Sequence, residues 1–132
     1  MELATTTNRE LGQATVEFAL IFPVLAVVLV AIIQFGGLFN HYETLTDATR
    51  AGARRAVVSR TVTSPVAVTE QAVRDSAVNL DQTKLNVSVS PSPPWTPGQQ
   101  VTVTATYPYS ISLAGIVVQG GTLSSSTKER VE

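Results

Sequence analysis

From Phe18 to Tyr42 the chain contains no Asp, Glu, Lys or Arg; Glu17 is the last charge before this stretch and Glu43 the first after it. The block Phe18–Ile33 has no strongly polar side chain. Extended through Gln34–Phe39 it reaches ~20 residues, the length a helix needs to cross a ~30 Å hydrocarbon core. A helix is the one open structure that lipid tolerates, because each backbone donor must find its acceptor inside the segment. The expectation is therefore one transmembrane helix over residues 13–42. A leader, residues 1–12, lies on one side of the membrane, and everything after Tyr42 lies on the other. A cleaved secretory signal fits less well. The apolar block is longer than a typical signal core, and Ile33-Gln34-Phe35 offers no small-x-small cleavage site.

The chain has 132 residues, so the part beyond Tyr42 is enough for one small domain. Net charge is −1, which points to neither nucleic acid nor a polyanionic partner. The absence of cysteine excludes disulfides and thiolate zinc sites. Metal and cofactor sites are not expected, since Asp47, Glu70, Asp75 and Asp81 are spaced as helix-surface residues. The one histidine, His41, falls at the membrane edge. No Gly-x-Ser-x-Gly elbow, phosphate loop or His-Glu-x-x-His occurs, so no catalytic residue is assigned.

Glu17 stands directly against the apolar run, where a carboxylate is costly at the bilayer centre and less so near its edge. The plain reading places it among headgroups. A second reading starts from Gly12, five residues earlier, and Phe18, the next residue. A glycine, four residues, a glutamate and an aromatic heading an apolar helix resemble the type III signal of type IV pilin precursors. That resemblance implies cleavage by a prepilin peptidase between Gly12 and Gln13. It also implies that Glu17, fifth in the mature chain and ~6 Å along the helix from the new amino terminus, meets the amino terminus of a neighbouring subunit. A buried carboxylate demands such a cation.

Pro23 cannot donate to the carbonyl of Ala19, so a kink is expected there, either a packing bend or a hinge. Gly36 and Gly37 either admit a close helix neighbour or weaken the helix. Phe39 and Tyr42 suit the interfacial aromatic belt. Helical spacing continues into a juxtamembrane extension over residues 43–62 through Leu38, Tyr42, Leu45, Ala48, Gly52 and Ala56. Ala48, Gly52 and Ala56 form a small-residue stripe suited to close helix packing. Arg50, Arg54, Arg55 and Arg60 read as a solvated face near headgroups, with Asp47 spaced to pair with Arg50. By charge alone these arginines would face the cytoplasm.

The stretch from Gln13 to Val58 closely resembles the TadE-like minor pilins (pseudopilins) of the tight-adherence (Flp) pilus machinery. GQATVEFALIFPVL and IIQFGGLFNHYETLTDATRAGARRAVV carry the likeness: EFAL with a proline soon after, a Phe-Gly turn, and an Ala-rich Arg-Ala-Gly-Ala-Arg helix. It covers about a third of the chain strongly and continues loosely through VTVTATYPYS and LSSSTKERVE. The close, Glu129-Arg130-Val131-Glu132, lacks the Met-Arg pair frequent in the family. The resemblance implies a single-pass protein of the bacterial cytoplasmic membrane, with the leader inside and the C-terminal domain outside. It is non-enzymatic and serves pilus assembly in adhesion, biofilm formation or secretion. The implied partners are a prepilin peptidase, other minor pilins, the major pilin and an assembly ATPase acting through a membrane platform.

The remainder, residues 63–132, reads as a small α+β domain. Ser64 and Pro65 open a second helix that ends near Leu80, with Val66, Val73, Ala77 and Leu80 on its apolar face and Glu70 spaced to pair with Arg74. Lys84–Ser90 and Gln99–Tyr107 alternate as strands of a hairpin. Between them lies the proline-rich loop Pro91–Gly98, with Trp95 at its tip. Trp95 is a candidate partner contact, although burial against the sheet is the commoner fate. Pro108–Gly121 reads as irregular, and Thr122–Val131 as a third antiparallel strand. The alternative function is a membrane-tethered binding module that no peptidase processes and that presents a ligand surface on this loop.

Overall fold

The computed structural model describes the backbone of residues 3–113 and 115–132, and the side chains among them from Gly12 onward. Met1 and Glu2, the start of the expected leader, lie outside the described residues. The chain divides into two compact units, Met1–Gly36 and Gly37–Glu132. The architecture is α+β, as the residue pattern predicts: two helices followed by a three-stranded antiparallel sheet.

Helix α1 runs Leu3–Val58 without interruption at Pro23. It begins inside the expected leader, because good helix formers such as Ala4, Glu10 and Leu11 precede Gly12 and no proline does. It ends four residues before the expected limit of the juxtamembrane extension. The Ser59 hydroxyl donates to the Arg55 carbonyl at 2.6 Å, and the Ser59 N–H turns back to Ala56.

In the first unit the large apolar side chains from Val16 to Phe35 are 37–72% exposed. So long an uncovered apolar surface is foreign to water-facing proteins. This helix is long and apolar enough to cross a membrane.

In the second unit, helix α2 (Pro65–Ser76) comes next. Ser64 occupies its N-cap, but its hydroxyl makes no capping bond; its carbonyl accepts the first helical bond from Val68 instead, and Pro65 starts the turn. The helix stops short of Leu80. Ala77 N–H reaches back to Val73 and Arg74, and the Gln82 side-chain amide donates to the carbonyls of Ala77 and Leu80. Arg74 donates to the Gln82 carbonyl at 3.0 Å in place of the expected pairing with Glu70. Ala77 and Leu80 remain buried through this turn, so the apolar face outlasts the helix.

The strands are β1 (Asn86–Ser90), β2 (Gln100–Leu113) and β3 (Ile116–Arg130), in the order β1-β2-β3. The expected irregular stretch Pro108–Gly121 is instead the far half of a long hairpin. Pro108 pairs with Thr122, whereas β1 extends only to the partner of Thr106. At Pro108, β2 therefore has β3 alone as a neighbour, and a missing N–H is tolerated as on an edge strand. Gly121 pairs with Tyr109, whose ring lies over it: a Cβ there would come 2.9 Å from Tyr109 Cε1. Near the turn through Gly115 the register slips by one residue between Ile111 and Ser112, leaving Val118 as a bulge.

The core gathers Leu45, Ala48 and Ala56 from α1, Val73 from α2, and Val101, Val103 and Ala105 from β2. The chain end docks on it, with Val131 buried and its N–H and C=O bonded to Gln99 and Gly98 at 2.8 Å.

The turn after α2 carries a titratable anchor. Asp81 Oδ1 accepts from the Thr83 hydroxyl at 2.6 Å and the Thr83 N–H at 3.0 Å, and Lys84 Nζ lies 3.6 Å from Oδ2. These donors, the Thr83 hydroxyl foremost, hold the Asp81 carboxyl below its ordinary range. A depressed carboxyl pKa stabilises the fold above the unfolded value, and that contribution disappears as pH falls through the folded one. Asp81→Asn is therefore expected to flatten the acid limb of the melting temperature against pH. The two proteins should differ at neutral pH and converge in acid; parallel curves would contradict this role.

Candidate functional site

The residues singled out in the apolar head of the chain share one stretch of α1. Gly12 is exposed, and a Cβ added there would meet nothing within 4 Å. Gln13 and Glu17 stand one turn apart, and Gln13 Nε2 donates to Glu17 Oε1 at 3.0 Å. Phe18 packs its ring against Phe22, with centroids 5.6 Å apart. Glu17 is thus a carboxylate at the head of an uncovered apolar helix, held by a neutral amide. The ion pairs among the described residues, Asp47–Arg50 and Lys84–Asp81, lie in the other unit. An anion so placed has room for a cation brought by another chain or by the headgroup layer.

At the end of the first unit, Gly36 and the adjoining Gly37 both face open space, and α1 continues through them. The small-residue stripe has a different fate. Ala48, Gly52 and Ala56 are all buried within the second unit. A Cβ on Gly52 would overlap Val73 Cγ2 of α2 and lie 3.4 Å from Val103 Cγ1. The stripe packs α1 against the chain's own second helix and sheet. Its receivers, Val73 and Val103, are visible in the sequence as apolar positions of α2 and β2 but not as partners of the stripe.

Trp95 is 5% exposed, and its indole N–H donates to the Pro91 carbonyl at 2.8 Å. The loop turns its aromatic ring inward onto the core, while its other residues from Ser92 to Gly98 stay exposed. His41, expected among headgroups, is half-buried with its ring edge-on to Tyr107 at 5.6 Å. Among the described residues no group of three or more His, Cys, Asp or Glu side chains is placed to hold a metal ion.

Residues 12–54 match the family model described as TadE-like protein. That stretch is TadE-like. The TadE-like segment begins at Gly12 and includes Glu17, Phe18, Pro23 and the whole of the apolar run. No curated protein and no solved structure matches the chain. The TadE-like segment and its apolar helix together fit a membrane protein associated with the tight-adherence pilus system.

Proposed function

We propose that the chain is a pseudopilin, a membrane-anchored, non-enzymatic component of tight-adherence pilus assembly. A prepilin peptidase cuts it between Gly12 and Gln13. Its apolar helix crosses the cytoplasmic membrane over residues 13–42 with residues 1–12 inside, and everything after Tyr42 stands outside. From there the helix associates laterally with other pilins, guided by an assembly platform. The observation that carries this reading is Glu17: a carboxylate heading an exposed apolar helix, one turn after the residue that cleavage would make the amino terminus. Two such helices in lipid, offset along their axes by about one turn (~6 Å), would place the Gln13 ammonium of one chain against the Glu17 carboxylate of the next. Their attraction grows in a low dielectric, and either charge left unpaired there is strongly disfavoured.

The test is Glu17→Ala alongside Glu17→Gln. Both variants are expected to enter the membrane as the parent does, since each removes a charge from an apolar segment. Both are expected to lose crosslinking to the other pilins, because truncating one member of a buried charge pair costs about 2–5 kcal/mol. Parent-like crosslinking of Glu17→Ala would contradict the proposal and leave the helix as a tether.

A further inference from the structure

Within the Gly37–Glu132 unit the sheet has one long unpaired side. In the order β1-β2-β3, β3 forms an edge, and among the described residues no other backbone group bonds to it. About every second residue of β3 turns its N–H and C=O away from β2. Natural edge strands are blunted by short length, by charge or by proline. β1, five residues long and followed by Pro91, fits that description. β3 does not: it is 15 residues long, and residues 116–127 contain neither a charge nor a proline.

Contacts with α1 show what lies beside this edge. β2 meets α1 at Gly52 and His41, through Val103 and Tyr107. β3 meets it at Thr49, whose hydroxyl shares a 3.0 Å hydrogen bond with Ser125 Oγ. Successive helical residues turn by ~100°. Gly52 and His41 therefore lie ~60–80° to one side of Thr49, and Thr46 lies ~60° to the other. A fourth strand added to β3 would run over that second side. The surface there is open and concave, a groove lined by Phe39, Tyr42, Glu43, Thr46, Asp47 and Arg50. Asp47 and Arg50 pair with each other at 3.3 Å, whereas Glu43 has no ion pair among the described residues.

We propose that residues 122–127 of β3 and the groove beside them form a strand-addition site for an extended segment of a different protein. The added strand takes its main-chain bonds from the open edge, and its alternate side chains, a cation between apolar residues, seat in the groove. From Tyr42 to Arg50 the groove runs ~12 Å, matching about four residues of strand. Tyr42, 45% exposed, offers an apolar ring face, and the unpaired Glu43 carboxylate selects Lys or Arg. Strands of a second copy do not suit the role. Their side chains on this face, Val87, Val89, Val103 and Leu123, already pack on their own core, and Ser125 is bonded to Thr49. The site lies wholly within the one unit and holds whether or not the Gly12–Gln13 bond is cut.

The probe is a fluorophore-tagged heptapeptide, Thr-Val-Thr-Lys-Thr-Val-Thr, titrated with the full-length protein in detergent micelles and followed by anisotropy. Saturable binding is expected above that to empty micelles. Glutamate in place of the peptide's lysine should weaken it about fivefold, the scale of an exposed ion pair. Methylating alternate backbone nitrogens of the peptide, along one of its edges or the other, should abolish binding for one of the two edges. The variant Glu43→Lys should reverse the charge preference, with Trp95 emission unchanged as the sign of an intact fold. Absence of saturable binding overturns the proposal. So does binding indifferent to methylation of either edge, which would mean adhesion without strand pairing, or a charge preference that Glu43→Lys leaves in place. Sedimentation showing that the peptide splits a dimer of the protein would assign the edge to a second copy, and this too overturns it.

Discussion

Replacing Gly52 by leucine is expected to prevent the Gly37–Glu132 unit from folding, while the apolar half of α1 remains helical. Glycine in a helix is worth ~1 kcal/mol less than alanine, so propensity alone predicts that a side chain here would stabilise. Packing reverses the sign. The first carbon of any side chain at Gly52 overlaps Val73 Cγ2, and behind it lie Val103 Cγ1 at 3.4 Å and the Thr69 carbonyl oxygen at 3.5 Å. Valine is stiff at χ1 and cannot swing clear. Overpacking by even a methyl group costs about 1–3 kcal/mol, so Gly52→Ala should lower the melting temperature. Leucine, with three more carbons directed into the same space, should exceed the margin of a domain stable by about 5–15 kcal/mol. The single, buried Trp95 reports the outcome. Its emission should move to longer wavelength in Gly52→Leu. Gly36→Ala and Gly37→Ala serve as controls, because a Cβ there meets nothing. They should be neutral or slightly stabilising. An unshifted Trp95 emission in Gly52→Leu would contradict the packing described.

Substituting Gly12 is expected to do the opposite, abolishing processing with no cost to the fold. The scissile bond of the proposed cleavage lies within helix α1, so a peptidase has to unwind the chain there to reach the carbonyl. Glycine is the weakest helix former short of proline and leaves that carbonyl unshielded. A Cβ at Gly12 meets no neighbour, so Gly12→Val loses nothing within the chain itself. It gains helix propensity and a branched group beside the scissile bond. The prediction is a chain that inserts and folds like the parent but accumulates with residues 1–12 attached, seen as one heavier band when the peptidase is coexpressed. Processing of Gly12→Val at the parental rate would show that the peptidase does not read this position.

The elements most legible in the sequence are those set by a single dominant energy. The uncharged run after Glu17 specifies a helix long and apolar enough to cross a membrane, because no charge or turn signal interrupts it. The burial of Val73, Ala77 and Leu80 comes directly from their spacing. The features that escape the sequence depend on partners distant in the chain. Pro108, Gly120 and Gly121 signal a break in any local reading. They are accommodated because β1 is short and because Tyr109 covers Gly121 across the ladder. Ser64 has the right identity for a cap, but its side chain does not make the bond. The end of α2 is hidden for a similar reason: the capping groups come from Gln82, beyond the helix. In the apolar head of the chain, the candidate residues are legible because they form one short pattern. The stripe of Ala48, Gly52 and Ala56 looks fit for another chain's helix, and only the tertiary fold assigns it to Val73 and Val103.

On the proposed function, this chain enters the membrane as a precursor and works as a processed subunit. Intact mass and amino-terminal sequencing of protein extracted from membranes, expressed with its native prepilin peptidase, decide the matter. The expected result is a mature chain beginning at Gln13, with Glu17 fifth. A chain that still carries Met1–Gly12 would contradict the proposal.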